Sequence, residues 1–261
     1  MLKVLALILA FSGIPTQAAA EEEVDVELVL AVDMSGSMDM EEARVQRSGY
    51  LDALRHPDFV NAVKGGYLGR IAIGYFEWAG LVNEDSVIAW QVIDDAEDAE
   101  AFAARLQARP VGTRRGTSIS SAILFGTSLI DSNAFSGVRR ILDISGDGPN
   151  NTGPPVGPAR VAALSRGIVI NGLAIMIRPS GTVGSLDRYY GDCVIGGPGS
   201  FVLAVHEAED FAVAIRQKLI LEVSGRAPAL HLRLAASEPA TDCGEILRPT
   251  FLEPVSPELN R

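Results

Sequence analysis

The chain reads as an α/β protein: a doubly wound, mostly parallel sheet with one antiparallel edge strand and helices on both faces. Three observations predict it. Six short β-rich runs, at 26–32, 70–76, 87–92, 138–144, 168–177 and 201–205, are mostly continuous in apolar residues, the pattern of strands buried on both faces. Helical patterns lie between most of them, and strand–helix alternation means parallel crossovers. Only about ten residues, 77–86, separate the second and third runs. That is short for a crossover containing a helix, so one of the two is expected to be an antiparallel edge strand.

The first twenty residues stand apart from the fold. Lys3 opens them, 4–11 is almost wholly apolar, and Ala18-Ala19-Ala20 supplies small residues before Glu21. This is the pattern of a secretory signal peptide, too short in its apolar part to span a bilayer. The mature protein is therefore expected to be exported, periplasmic or secreted, with no membrane insertion. Residues 21–224 are expected to form the domain. From 225 to 261 the chain is Pro-rich, with Pro228, Pro239, Pro249, Pro254 and Pro257, and reads as an extended tail.

The first strand stops at Asp33. The helix after it, 39–54, carries Met40, Ala43, Tyr50, Leu51 and Leu54 on one side, with Asp39 and Glu42 spaced as a capping box. His56, in "RHPDF", reads as a turn. After the second and third strands, 96–107 is helical, with Phe102 and Leu106 four apart. Residues 118–130 show an apolar stripe of Ile119, Ala122, Ile123, Gly126, Leu129 and Ile130, with Thr117 placed to cap it. A helix at 158–166 links the fourth and fifth strands. A last helix at 208–223, with Phe211, Ile215, Leu219 and Leu221, follows the sixth.

Composition excludes some functions. The formal charge is −11; without residues 1–20, 21 basic residues face 33 acidic ones and it is −12. A chain this acidic is a poor partner for nucleic acid or anionic lipid. Its two cysteines, Cys193 and Cys243, most simply form one disulfide in an oxidising compartment. In the chain-entropy account such a loop stabilises by about 4 kcal/mol and ties the tail to the body. A metal pair is the alternative, but two isolated thiols without a nearby His make a poor zinc site.

The chemistry is expected where strand order reverses, beyond the carboxyl ends of the strands. In one common order the first and fourth strands are neighbours there. Asp33, Ser35 and Ser37, in "DMSGS", follow the first strand. Asp147, in "DISGDGPNN", follows the fourth. Thr117, in "RRGTSIS", opens the helix that leads into it. All five residues offer oxygen, and oxygen-only sets suit hard cations: Mg2+ first, then Mn2+ or Ca2+. Alternate spacing lets a curling loop aim Asp33, Ser35 and Ser37 inward. Two carboxylates at most neutralise a divalent ion, so a coordination position is left for an outside ligand, most favourably a carboxylate from a protein partner. A simple turn with a cap is the competing reading of "DMSGSMD"; for Asp39 the cap is preferred over a second ion site.

Asp-Met-Ser-Gly-Ser at 33–37, Thr117 and Asp147-Gly148 resemble the metal-ion-dependent adhesion site (MIDAS) of von Willebrand factor A-like (vWA) domains. Residue by residue, Asp33, Ser35 and Ser37 match the first loop of that site, Thr117 the second and Asp147 the third. The chain is similar, more closely, to a group of exported proteobacterial vWA-like proteins without an assigned function. The segments are "IGYFEWAG" (73–80), "DISGDGPNN" (143–151), "VINGLAI" (169–175), "YYGDCVIGGPGSF" (189–201) and "AIRQKLILE" (214–222). The resemblance spans roughly residues 24–224 and implies a Rossmann-like vWA fold and a cation-dependent protein-binding role. Loops 148–158 and 178–199 are expected to set partner specificity.

Enzyme motifs are missing. Asp143 stands where a nucleophile elbow around Ser145 needs Gly. Neither a G-x-x-x-x-G-K loop nor a G-x-G-x-x-G turn from strand to helix occurs. A metal-assisted hydrolase of phosphoesters or peptides at the same site remains the alternative function.

Overall fold

The computed structural model describes residues 21–177, 185–226, 233–234 and 243. The expected signal peptide and most of the expected tail lie outside the described residues. The strands are β1 (Glu22–Asp33), β2 (Ile71–Trp78), β3 (Val82–Ile93), β4 (Phe135–Gly146), β5 (Ile168–Ile175), β6 (Phe201–Val205) and β7 (Arg233–Leu234). They form one sheet in the order β3-β2-β1-β4-β5-β6-β7. The ladders from β2 through β6 are parallel, and β3 runs antiparallel at one edge. At the other edge the two-residue β7, a piece of the tail, pairs antiparallel with β6.

The helices are α1 (Met40–Arg55), α2 (Pro57–Lys64), α3 (Ala96–Gln107), α4 (Ile119–Asp131), α5 (Val156–Leu164), α6 (Leu186–Tyr189) and α7 (Phe211–Ser224). A π-helical turn, Tyr190–Val194, continues α6, and a short 3-10 turn, Ala208–Asp210, leads into α7. β1 is buried from Val24 to Asp33, and its side chains divide between two cores as the pleat requires. Val26, Leu28, Leu30 and Val32 pack with α1, α2, α3 and α7. Val29 and Ala31 pack with α4, α5 and α6. A strand at the centre of a two-faced sheet has no solvent side, so its apolar run is continuous.

Several boundaries differ from the sequence reading. β3 begins at Val82, so the expected 77–86 link shrinks to a tight turn in which Ala79 N–H donates to Leu81 O at 3.0 Å. The first part of β3, Val-Asn-Glu-Asp, is mostly polar because an edge strand is partly solvated. α2 falls where a turn was expected: His56 Nδ1 accepts from Asp58 N–H at 3.1 Å as the cap, and Pro57 occupies the first helical position. α5 begins at Val156 and places Pro158 in its first turn, where a missing N–H costs no helical bond. The capping box at Asp39 and Glu42 is present.

Cys193, in the π-helical turn, is disulfide-bonded to Cys243 with a Cα–Cα distance of 5.6 Å. Thiol labelling of the denatured, unreduced mature protein is expected to find no free thiol; two labelled thiols would contradict this bond.

A charged cluster is buried between α7 and the sheet. Lys218 Nζ lies 2.5 Å from Asp143 Oδ1 and 2.5 Å from Glu222 Oε1. Asn171 Nδ2 donates to Glu222 Oε1 at 3.1 Å. Arg139 donates to the Glu222 and Val223 carbonyls at 2.7 and 2.6 Å, and the Tyr50 ring stands near Asp143. One ammonium lies directly between two carboxylates, and the Arg139 guanidinium borders them through the carbonyls at the end of α7. Burial, then the Asp143 charge, pushes Glu222 up to about 7 against the opposing pull of Lys218. A carboxyl raised on folding stabilises most below its unfolded value, and that contribution is lost as pH rises through the folded value. Stability is therefore expected to fall between about pH 5 and pH 8 through this group, and Glu222→Gln to flatten that slope, read from urea midpoints across the range. An unchanged slope in the variant would place the titration elsewhere.

Candidate metal centre

β1 and β4 lie side by side, with Val32 opposite Ser145. Their ends therefore deliver Asp33 and Asp147 to neighbouring places. Ser35 N–H turns back to donate to Asp33 Oδ1 at 2.7 Å, which curls the loop after β1. Ser37 Oγ donates to Asp147 Oδ1 at 2.7 Å. Ser35 Oγ lies 2.9 Å from Ser37 Oγ and donates to Asp147 Oδ1 at 3.4 Å. Asp33, Ser35, Ser37 and Asp147 thus form one hydrogen-bonded set, although more than a hundred residues separate its two halves.

The loop carrying Thr117 is locked against both others. Arg114 N–H donates to Met34 O at 2.9 Å, and Gly80 N–H to Arg115 O at 3.0 Å. Thr117 N–H donates to Asn151 Oδ1 at 2.8 Å, while Thr117 O accepts from Asn151 and Thr152 N–H at 2.9 and 3.2 Å. Gly116 makes the close approach possible: its φ is +82°, and a Cβ there would sit 3.0 Å from Gly80 Cα. Thr117 is not the helix cap that its spacing predicts. Ser118 caps α4, accepting from Ser121 N–H at 3.4 Å, because the helix starts one residue later than the stripe implies.

Asp33 is fully buried, and Ser35 and Thr117 nearly so. Burial, then the charge of Asp147, holds the Asp33 carboxyl well above the usual range. Burial also raises Asp147, against hydrogen bonds from Ser37 and Ser35. Ser35 and the Asp147 N–H lean on the Asp33 carboxylate, yet among the described residues Asp33 Oδ2 and the Tyr190 hydroxyl have no partner at full hydrogen-bond geometry. Both converge on Gly146, where a Cβ would sit 2.6 Å from Tyr190 Oη and 2.9 Å from Asp33 Oδ2. Buried polar atoms are ordinarily satisfied. Two like-charged carboxylates among hydroxyls, one with an unpartnered buried oxygen, fit a hard divalent cation, which satisfies oxygen and offsets charge together.

Other acidic groups do different work. Asp39 caps α1, accepting from Glu41 and Glu42 N–H at 2.8 and 2.9 Å. Asp94, Asp95 and Asp98 cluster at the start of α3, where Asp95 is the cap. Trp78 is buried in the core. Asn150 and Asn151 brace the site: Asn150 Oδ1 accepts from Ser120 N–H at 3.2 Å, and Asn151 holds Thr117. Paired Asn after Asp-Gly-Pro was the only available signal. Tyr190 had none of its own.

The family model described as "Protein of unknown function (DUF1194)" matches residues 23–227. The chain belongs to this family. No curated protein matches it. Among solved structures, proximal thread matrix protein 1 from the mussel byssus, in a form titled "with zinc occupied MIDAS motif", is 15% identical with a TM-score of 0.56, covering 79% of this chain and 50% of that one. The pilus adhesin SpaC from Lactobacillus rhamnosus GG is 15% identical with a TM-score of 0.57, covering 78% of this chain and 31% of that one. A von Willebrand factor type A protein from Catenulispora acidiphila is 13% identical with a TM-score of 0.53, covering 78% and 43%. The family member therefore spans half or less of these solved chains, and shares with them the vWA fold.

Removing the Asp33 charge is expected to relieve the buried repulsion. Asp33→Asn keeps an acceptor for Ser35 N–H and removes the buried charge. Its stability in EDTA at neutral pH is expected to rise on the order of 1 kcal/mol, measured as Tm against wild type. A lower Tm would show that the ionised carboxylate is already compensated.

Proposed function

We propose that the protein is an exported, divalent-cation-dependent protein-binding module that engages an acidic side chain of its partner. Asp33, Ser35, Ser37, Thr117 and Asp147 would hold the ion, directly or through water. Mg2+ is the favoured cation, with Mn2+ or Ca2+ as substitutes. When bound, the ion supplies an electrophilic centre for an incoming carboxylate. The chain's own residues do the rest: two carboxylates set the charge, hydroxyls orient them, and Asn151 holds the second loop in place. The carrying observation is the hydrogen-bonded set of Asp33, Ser35, Ser37 and Asp147 at the ends of two adjacent strands. The zinc-bearing MIDAS named for one structural neighbour and the adhesin role named for another support the reading.

With only two carboxylates, a divalent ion is just neutralised and has affinity left for a third. That favours capture of an acidic group over turnover, so the protein is read as a binding module rather than a hydrolase. Among the described residues no helix is long and apolar enough to cross a membrane.

The test is capture of partners from periplasmic extract by immobilised mature protein, identified by mass spectrometry. Specific partners are expected in Mg2+ and not in EDTA, and not with Asp147→Ala. Mg2+ at a hundredfold excess over its Kd should stabilise wild type by about 2.7 kcal/mol, or about 5–10 °C in Tm. Phosphoester and peptide libraries with Mg2+ or Mn2+ are expected to show no turnover. No heat and no stabilisation from any of the three cations would end this reading.

A further inference from the structure

The second loop carries two charges that the metal centre does not use. Arg114 and Arg115 are both exposed, and among the described residues neither guanidinium takes part in a hydrogen bond or an ion pair. Elsewhere on the surface, Arg55 and Arg166 each find a carboxylate. In a chain of formal charge −11, two adjacent unpaired arginines reverse the local sign. They also adjoin the ion-binding residues. Ser35 and Arg114 form a short parallel bridge, Arg114 N–H donates to Met34 O at 2.9 Å, and a Cβ on Gly36 would sit 3.4 Å from Arg114 O. The β2–β3 turn flanks the pair: Gly80 N–H donates to Arg115 O at 3.0 Å, and Ser118 N–H to Ala79 O at 2.8 Å. In that turn Leu81 is 76% exposed, although its carbonyl is held by Ala79 N–H at 3.0 Å.

We propose that Arg114, Arg115 and Leu81 form a docking ledge beside the metal centre, and that the ledge takes a protein segment carrying a second acidic residue and an apolar residue near the carboxylate that meets the ion. The inference rests on the cation-dependent reading above and deepens it. Charge complementarity selects the occupant. A guanidinium presents its donors in a planar fork that matches a carboxylate, and here two of them stand side by side with no internal acid to satisfy. Continuity places that occupant. A segment whose carboxylate lies at an ion held by Ser35 and Ser37 has its next residues over the junction where Ser35 meets Arg114. One exposed leucine is ordinary on a protein surface. Leu81 differs in its setting, because its turn is bonded to Arg115 through Gly80, and a segment seated on the arginines covers it. The backbone of the ledge is already ordered by these bonds, so docking costs only the freedom of three side chains. Such a ledge favours acidic segments and repels basic ones, adding specificity and encounter rate to the attraction of the ion.

The test is selection from a random peptide library displayed on phage, panned on the immobilised mature protein in Mg2+. Selected peptides are then synthesised and titrated by fluorescence anisotropy, in Mg2+ and in EDTA. They are expected to share a pair of acidic residues and an apolar residue within a few positions. The double variant Arg114→Gln, Arg115→Gln should bind them about tenfold more weakly in Mg2+ and lose most of the salt dependence that wild type shows. Leu81→Ser should weaken them about fivefold and leave the salt dependence unchanged. All these side chains are exposed, so both variants should keep the wild-type Tm, and by calorimetry should bind Mg2+ at least as tightly. Peptides that need Mg2+ but bind the arginine variant as well as wild type would overturn the ledge and leave the ion reading standing. Peptides that need the arginines but bind equally in EDTA would overturn the ion reading and keep the ledge. Selection of peptides rich in basic residues would overturn the ledge outright.

Discussion

Two carboxylates at the ends of adjacent parallel strands impose the central constraint. Asp33 and Asp147 stand close enough for the charge of one to raise the other, and Asp33 has no access to water. In a low-dielectric site like charges cannot both ionise cheaply. The surrounding backbone is built around that difficulty. Ser35 N–H satisfies one Asp33 oxygen, Ser37 Oγ satisfies one of Asp147, and the second Asp33 oxygen is left facing the bare Cα of Gly146. A centre of this kind is primed for positive charge.

Rigidity around it comes from hydrogen bonds between loops. The second loop is bound to the first through Arg114 and Met34, to the β2–β3 turn through Gly80, and to the third through Asn151. These contacts couple segments that meet only when the sheet has formed. They hold Thr117 by its backbone, so the placement of its side chain does not depend on its own rotamer alone. A binding site that must present an incomplete shell benefits from this pre-organisation, since ordering the loops is already done when a ligand arrives.

Elsewhere in the same sheet, a different solution to buried charge appears. Lys218 brings a cation to Asp143 and Glu222, and Arg139 brings a second to the carbonyls beside Glu222. The cluster joins α7 to β4, and Asn171 extends it to β5. β4 thus carries both compensated charge at Asp143 and, just beyond its end, uncompensated charge at Asp147. The contrast separates a group that anchors a helix from a group held ready for a ligand.

Much of this was legible in the chain. Buried strands cannot be amphipathic, so β1, β2, β4, β5 and β6 announce themselves as apolar runs, and the Asp39–Glu42 box marks its helix. Edges and caps were less legible. The polar start of β3 resembles a loop because edge strands are solvated, and α2 hid behind a His-Pro pair that also suits a turn. Lys218 and Glu222 look like surface residues of a helix, since nothing local reveals that a second carboxylate waits on β4. The sequence by itself determined the chemistry available: an oxygen-only set in Asp33, Ser35, Ser37, Thr117 and Asp147, spread over three loops. Only the tertiary structure decided that the strand order puts β1 against β4, that Ser118 rather than Thr117 caps α4, and that Asn151 holds Thr117. The reason is physical. Local propensity and periodicity act over a few residues, whereas strand order is set by long-range burial that no short stretch encodes.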